Sequence, residues 1–429
     1  MLPMMFHRMD LPMGAIVLAL MIATGAPAQD ESTDLRAAIE AAIEGLGASS
    51  FADRELATNT LYRAGAAALP ALRKVDRHDL ERWMRAQRVI ERIEKEQFEK
   101  LAKSFLLAPH PDRSYQLPAW PAFCRLAGDS RSSKLLFIEM LKTEPELMEA
   151  IDEASRLMES NEDARTAIAR LEQRLSERAK AIWEERMRMR IPGIGQLASL
   201  LLGTSLLPEP APAEVNALME ASINMVPFTS YLNRRGYAEV LKSLLAEWIP
   251  RTQPAQAEIA LSIALRYDLP SGIEVARRCL SPTLDVRLRQ LAMMNVVRFG
   301  SPADIPLLVD NMQDSLICEV YQFREGLTAG DDEGVPEVPP GLPIQPAPGT
   351  TGDQELKFKV LRICDLALAV AMVLNDEDPR DLFVDYRPHE MQGIDPRSIA
   401  VEQDAKAFTR RDEAIKQWLR RYRAERNES

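Results

Sequence analysis

Residues whose types and spacing could do chemistry are few in this 429-residue chain. Gly193-Ile194-Gly195-Gln196-Leu197-Ala198 fits the glycine fingerprint by which a βα unit holds a dinucleotide pyrophosphate at a helix N-terminus. That chemistry needs a strand ahead of the glycines, and the preceding Glu184-Glu185-Arg186-Met187-Arg188-Met189-Arg190 does not make one. The stretch therefore predicts a break between helices, with no cofactor. Past His7 the histidines are His78, His110 and His389, and none has a second His or Cys at ligand spacing. Zinc needs about four such ligands, so no metal is expected. Gly203-Thr204-Ser205-Leu206-Leu207 lacks the closing glycine of a nucleophile elbow. No catalytic residue is assigned.

Two acidic groups could hold calcium loosely: Asp376, Glu377, Asp378 and Asp381 at a predicted helix end, and Asp331, Asp332 and Glu333 further upstream. Neither has the twelve-residue EF-hand loop with its central glycine, so both are expected to be solvated turn acids. Cys124, Cys279, Cys318 and Cys364 lie far apart without a C-x-x-C among them, which argues against a zinc or redox motif. Four separate thiols on helix faces are the favoured expectation. A Cys318–Cys364 bridge closing the segment between them is the alternative. Near the C-terminus, Arg410, Arg411, Lys416, Arg420, Arg421 and Arg423 share a helical stretch with an apolar stripe of Ile415, Trp418, Leu419 and Tyr422. Such a helix can lie on an anionic membrane, but more often closes the end of a helical stack.

The elements that must position these residues read as helices. Leu35, Ile39, Ile43 and Leu46 fall on one helical face, and Leu80–Lys103 carries Trp83, Val89, Ile90, Ile93 and Phe98 on another. Pro109, Pro111, Pro118 and Pro121 interrupt the pattern, and Pro208, Pro210 and Pro212 break it again. Between the breaks, Asp163–Arg190 spaces Ile168, Leu171, Leu175, Ala179 and Ile182 as one arm of a long helical hairpin. Gly326–Gly352 turns to Gly, Pro, Asp and Thr without periodicity, which predicts an extended, disordered insert. Helix resumes over Leu356–Leu374 and closes the chain from about Asp404 to Arg423. No stretch alternates with period two for long enough to predict a sheet, so the expected fold is all-α.

Two stretches superpose without a gap. Arg54-Glu55-Leu56-Ala57-Thr58-Asn59-Thr60-Leu61-Tyr62-Arg63-Ala64-Gly65 matches Arg289-Gln290-Leu291-Ala292-Met293-Met294-Asn295-Val296-Val297-Arg298-Phe299-Gly300. Each is followed by apolar-Pro-x-Leu, as Leu69-Pro70-Ala71-Leu72 and Ile305-Pro306-Leu307-Leu308. A helix ended by Gly, then a helix opened by Pro, is a helical hairpin written twice. Asp285-Val286-Arg287, the Ala292 helix, Gly300 and Pro306 resemble the HEAT repeat, as do Asp53, Arg54, Gly65 and Pro70; Arg362 and Asp365 before Ala367 look like a weaker third copy. The resemblance covers about half the chain. It implies a degenerate solenoid in which Asp and Arg brace successive hairpins, and an exported bacterial protein of HEAT-like type.

Export is also the direct reading of the first residues. A basic start at His7-Arg8, an apolar core from Met13 to Ala23 and Ala26-Pro27-Ala28 describe a signal peptide cleaved after Ala28, too short to span a bilayer. The expected order is leader (1–28), HEAT-like repeats (29–107), a helical hairpin region (108–203), further repeats (204–325), the insert (326–355) and C-terminal helices with a cap (356–429). A formal net charge of −11 repels phosphate backbones, which sets nucleic acid aside as partner. With 46% hydrophobic residues there is ample core. These observations predict a non-catalytic exported scaffold that binds another protein or envelope macromolecule. The alternative is an envelope or polysaccharide-acting enzyme with carboxylates on a concave face.

Overall fold

The computed structural model describes residues 29–108, 117–160, 163–208, 210–233, 236–324 and 356–427. The expected leader, His110, the acids at 331–333 and the insert at 326–355 lie outside these residues. The protein is predominantly helical and divides into two compact units, residues 1–206 with 226–241, and 207–225 with 242–429.

The first unit opens with α1 (Gln29–Gly45) packed on α2 (Phe51–Ala64), then α3 (Leu69–Leu72) and α4 (Leu80–Leu107). Ser50 starts α2 by accepting from the Asp53 N–H, and Gly65 ends it at φ 57°, a conformation that a Cβ disfavours. Pro70 sits in the first turn of α3, where its missing N–H leaves no bond unmade. Ala57, Leu61, Leu69 and Leu72 point into a core with Ile39, Ala86, Val89 and Ile93. α5 (Trp120–Ala127), α6 (Arg131–Thr143), α7 (Pro145–Ser160), α8 (Ala164–Met187) and α9 (Ile194–Ser205) follow. Their shared core starts at Trp120, whose ring lies 4.9 Å from those of both Phe105 and Phe137 in edge-on contact. α7 packs on α8, and α9 lies against α6, α7 and α8.

The chain enters the second unit with α10 (Ala213–Ile223), returns to the first with α11 (Val226–Asn233), and passes back within α12 (Ala238–Trp248). α13 (Ala257–Tyr267), α14 (Gly272–Cys279), α15 (Val286–Phe299) and α16 (Ile305–Val309) follow, the last preceded by a 3-10 turn at Pro302–Asp304. α15 packs on α13 and α14 on one side and on α17 (Ile363–Leu374) on the other. Asparagines bridge these helices. Asn295 donates to its own-helix carbonyl at Leu291 and to Leu261 on α13, and Asn311, just past α16, donates to Leu307 on α16 and to Leu280 at the end of α14.

The second unit also contains a sheet that the sequence pattern did not predict. β1 (Ile317–Arg324) pairs antiparallel with β2 (Leu356–Arg362), from Ile317↔Arg362 to Arg324↔Leu356, and β2 pairs with β5 (Val401–Glu402). Residues 356–362, expected as helix, are therefore strand, and α17 begins at Ile363. β3 (Pro388–His389) and β4 (Gly393–Ile394) form a small hairpin, followed by α18 (Pro396–Ile399) and α19 (Ala405–Asn427). Ile415, Trp418 and Leu419 of α19 are buried, with α17 and β5 among its packing partners.

Candidate functional site

The densest gathering of polar side chains lies where β1 and β2 meet α15, α17 and α19. It is built from residues that sequence periodicity treats as core. Arg289 occupies the stripe of Ala292, Met293 and Val296 on α15 and is fully buried. Its Nη1 donates to Asp314 Oδ2 at 2.6 Å and to Asn311 Oδ1 at 3.2 Å. Its Nε has no hydrogen-bond partner among the described residues. Next to it, Gln290 donates to Glu319 Oε1, and the Tyr321 hydroxyl donates to Glu319 Oε2. Burial, with the negative Glu319 beside it, holds the Tyr321 phenol protonated far above its ordinary range.

A second knot of charge lies at the strand-to-helix junction of β2 and α17. Arg362 grips Asp365 in a two-pronged fork at 2.8 and 3.0 Å and reaches Asp412 of α19 at 2.9 Å. Arg411 stands 3.7 Å from Asp365, donates to the Leu382 carbonyl and lies 4.0 Å over the Phe383 ring. Burial raises the Asp365 carboxyl above its ordinary value, which the Arg362 fork offsets only in part. Burial likewise lowers Arg411, against the pull of Asp365.

The first unit holds a smaller equivalent. Arg178 forks onto Glu144 at 2.6 and 2.7 Å and reaches Glu185 at 3.5 Å. In both units, then, two carboxylates that would repel are bridged by one guanidinium: Glu144 and Glu185 by Arg178, Asp365 and Asp412 by Arg362. A glycosidase-like pair needs two carboxyls facing a substrate, one of them free to give a proton. These carboxyls face arginine instead, and what they do is join helix to helix.

The thiols are equally committed. None of the four cysteines is in a disulfide. Burial pushes the Cys279 thiol up to about 11 and the Cys364 thiol up to about 12, and raises Cys318 further still with Glu319 beside it. A thiol held protonated is a poor nucleophile. Cys318 sits at the irregularity in β1 between Ile317 and Glu319, and no disulfide joins it to Cys364, the bridge weighed from the sequence.

The other sequence candidates take structural places. Gly193 caps α9, with α8 as the preceding regular element, so the strand that a dinucleotide site requires is not there. A Cβ on Gly195 would stand 2.5 Å from the Glu139 carbonyl oxygen, which makes this glycine the close crossing point of α9 on α6. His78 is exposed, with its N–H donating to Asp76. His389 turns the β3–β4 hairpin, its Nδ1 accepting the N–H groups of Met391 and Gln392 at 3.2 and 3.1 Å. Of the acids at 376–381, Glu377 receives Trp418 Nε1 and Arg421, and Asp378 caps the turn at Pro379–Asp381. Among the described residues no group of His, Cys, Asp or Glu is arranged to hold a metal. No described helix is long and apolar enough to cross a membrane.

No family model matches this chain. Neither the curated proteins nor the solved structures contain a significant match to it.

Sequence reasoning missed the buried Arg289 and the half-buried Arg178 as bridges, and it named Arg362 only with Asp365 as part of a weak repeat copy. For Arg289 the signal was available, a cation at the first position of an apolar stripe. It was visible only as the counterpart of Arg54.

Proposed function

We propose that this chain is a non-catalytic exported scaffold, a degenerate HEAT-like α-solenoid that offers its helical surface to a protein or other envelope macromolecule. The observation that carries the reading is the use made of charge. Arg178, Arg289 and Arg362 are each spent on carboxylates within the fold, at 2.6 to 2.8 Å, and link one helix or strand to another. An enzyme acting through carboxylates would hold one unpaired beside a cleft. The order of packing supports the architecture: α15 lies between α13 and α17, as consecutive first helices of stacked hairpins would. Buried Ile415, Trp418 and Leu419 support a capping role for α19, with Arg410, Lys416, Arg420, Arg421 and Arg423 toward water and Arg411 turned inward. Export rests on the composition of residues 1–28.

The test begins with crosslinking in cells that secrete the full chain, followed by titration of the purified captured molecule against the purified chain. A saturable isotherm is the expected result. Hydrolysis of wall polysaccharide by the purified chain, abolished by an Asp→Asn or Glu→Gln change, would overturn the scaffold in favour of the enzyme. N-terminal sequencing of the exported form should begin at Gln29.

A further inference from the structure

The C-terminal end of α8 breaks two rules at once. Helix termini are commonly closed by a residue with positive φ, usually glycine, and by two hydrogen bonds back into the last turn. Here both bonds form, Arg190 N–H to the Glu185 carbonyl at 3.1 Å and Met189 N–H to the Arg186 carbonyl at 2.9 Å. The residue at the positive-φ position, however, is Met189, at φ 63°. A long apolar side chain there is strained, and it gains no burial in return, since Met189 is 91% exposed. Met187 and Ile191 beside it are 68% and 58% exposed. Trp183, one turn earlier, is also exposed, with the Arg186 guanidinium 5.2 Å from its ring.

The cations are the second departure. In a chain of net charge −11, carboxylates are in excess and available to pair. Arg188 and Arg190 make no ion pair among the described residues, although both are exposed and Glu184 and Glu185 are their chain neighbours. Glu185 is turned to Arg178. The helix dipole accounts for cations at this terminus. It does not account for the methionines and isoleucine set between them.

We propose that the 183–191 tip is a membrane-contact site for an anionic bilayer surface. Met187, Met189 and Ile191 enter the boundary of the acyl chains, while Arg188 and Arg190 meet the lipid phosphates and Trp183 with Arg186 lies at the headgroup level. Charge complementarity selects this occupant. Alternating apolar and cationic side chains on a projecting turn satisfy a layer whose charge lies at one depth and whose oil lies at the next. The site is independent of the scaffold reading, and its failure would leave that reading standing.

Sedimentation of the full chain with vesicles tests it, using phosphatidylcholine alone and phosphatidylcholine mixed with phosphatidylglycerol. Binding should appear with the anionic vesicles and weaken as salt rises. Arg188→Gln with Arg190→Gln should weaken it by roughly twenty-fivefold, taking about fivefold per charge removed. Met189→Gly with Ile191→Ser should weaken it by about tenfold or more. The glycine relieves the strained turn, so an unchanged or raised melting temperature separates lost contact from lost fold. The proposal is overturned by no binding to anionic vesicles, by equal binding to both vesicle types, or by undiminished binding by both variants. The last would place lipid contact elsewhere, with the cations of α19 the next to be changed. Crosslinking of the tip to a protein with no vesicle binding overturns it as well.

Discussion

The segments at 51–72 and 286–309 share one sequence pattern in two units, and what differs between them shows how one pattern is adapted. Both have Ala then Leu or Val at matched buried positions, Ala57 with Leu61 and Ala292 with Val296. Both place Pro in the first turn of the second helix. The matched arginines part company. Arg54 stays near the surface and donates to the Ala48 and Ser49 carbonyls at 2.8 Å. Arg289 is drawn fully inside onto Asp314 and Asn311. The first hairpin thus uses its arginine to tie down the loop before its own helix, and the second uses it to hold the segment leading into β1. A guanidinium can do either, because it carries five donors in a rigid fork.

Removing the two arginines should separate these roles by the widest margin. Arg289→Ala leaves Asp314 partly buried without its cation and is expected to cost about 3 to 5 kcal/mol. Arg54→Ala, which loses bonds near solvent, should cost about 1 kcal/mol. Hydrogen exchange on peptides from each hairpin, alongside denaturant melts, reads the two units separately. If the costs are equal, the burial of Arg289 has been misread. Arg289→Met with Asp314→Leu should recover much of the loss, since a well-packed apolar pair can replace a buried ion pair.

The shared core makes the opposite prediction, of likeness. Leu61→Ala and Val296→Ala each leave a cavity at a fully buried position and should each cost about 1 to 4 kcal/mol. A value below about 0.5 kcal/mol at either position would mean that the match between the hairpins is one of sequence only.

The final glycines again share a residue but not a reason. Gly65 is needed for its dihedral, φ 57°, with nothing within 4 Å of where a Cβ would stand, whereas a Cβ on Gly300 would meet the Val296 carbonyl oxygen at 2.4 Å. Alanine at 300 must displace backbone and should cost about 1 to 3 kcal/mol. Alanine at 65 bears only dihedral strain, expected at about 1 to 2 kcal/mol. Melts of Gly65→Ala and Gly300→Ala check both, and a null result at Gly300 would mean that the close approach relaxes without cost.

How much of this was legible follows from where each signal lies along the chain. Helix ends at Gly65 and Gly300, and the Pro-opened helices after them, are written locally and were readable. The strands were not. Ile317-Cys318-Glu319-Val320-Tyr321-Gln322-Phe323-Arg324 is rich in β-branched and aromatic residues, yet its partner begins only at Leu356, so no tight turn joins them. Leu356-Lys357-Phe358-Lys359-Val360 alternates over only five positions before the chain runs directly into the apolar α17, so the two together read as one helix. The polar cluster was hidden for a different reason. Asp314 and Asp412 look like surface acids until the fold brings Arg289 and Arg362 to them, and pairing across 25 or 50 positions leaves no local trace.

The smallest expected difference concerns acid. At the position before the apolar-Pro-x-Leu signature, the first hairpin has Ala68 and the second has Asp304. Burial works to raise the Asp304 carboxyl, but Arg277 at 2.7 and 3.2 Å and the Ser301 N–H at 3.0 Å outweigh it and hold the group below its ordinary 3.8. A carboxyl lower in the folded than in the unfolded chain contributes stability that is complete above the unfolded value and is lost as pH falls through the folded one. The stability gap between the native chain and Asp304→Asn should therefore hold steady at neutral pH and shrink below 3.8. Glu144 supplies the control of opposite sign. Burial raises it above its ordinary 4.5 despite Arg178, so the native chain binds that proton more tightly when folded. Its gap to Glu144→Gln should widen as pH falls toward 4.5 and change little below it. Urea melts over a pH series measure both slopes, and parallel slopes would show that the two carboxyls do not differ in the way their surroundings dictate.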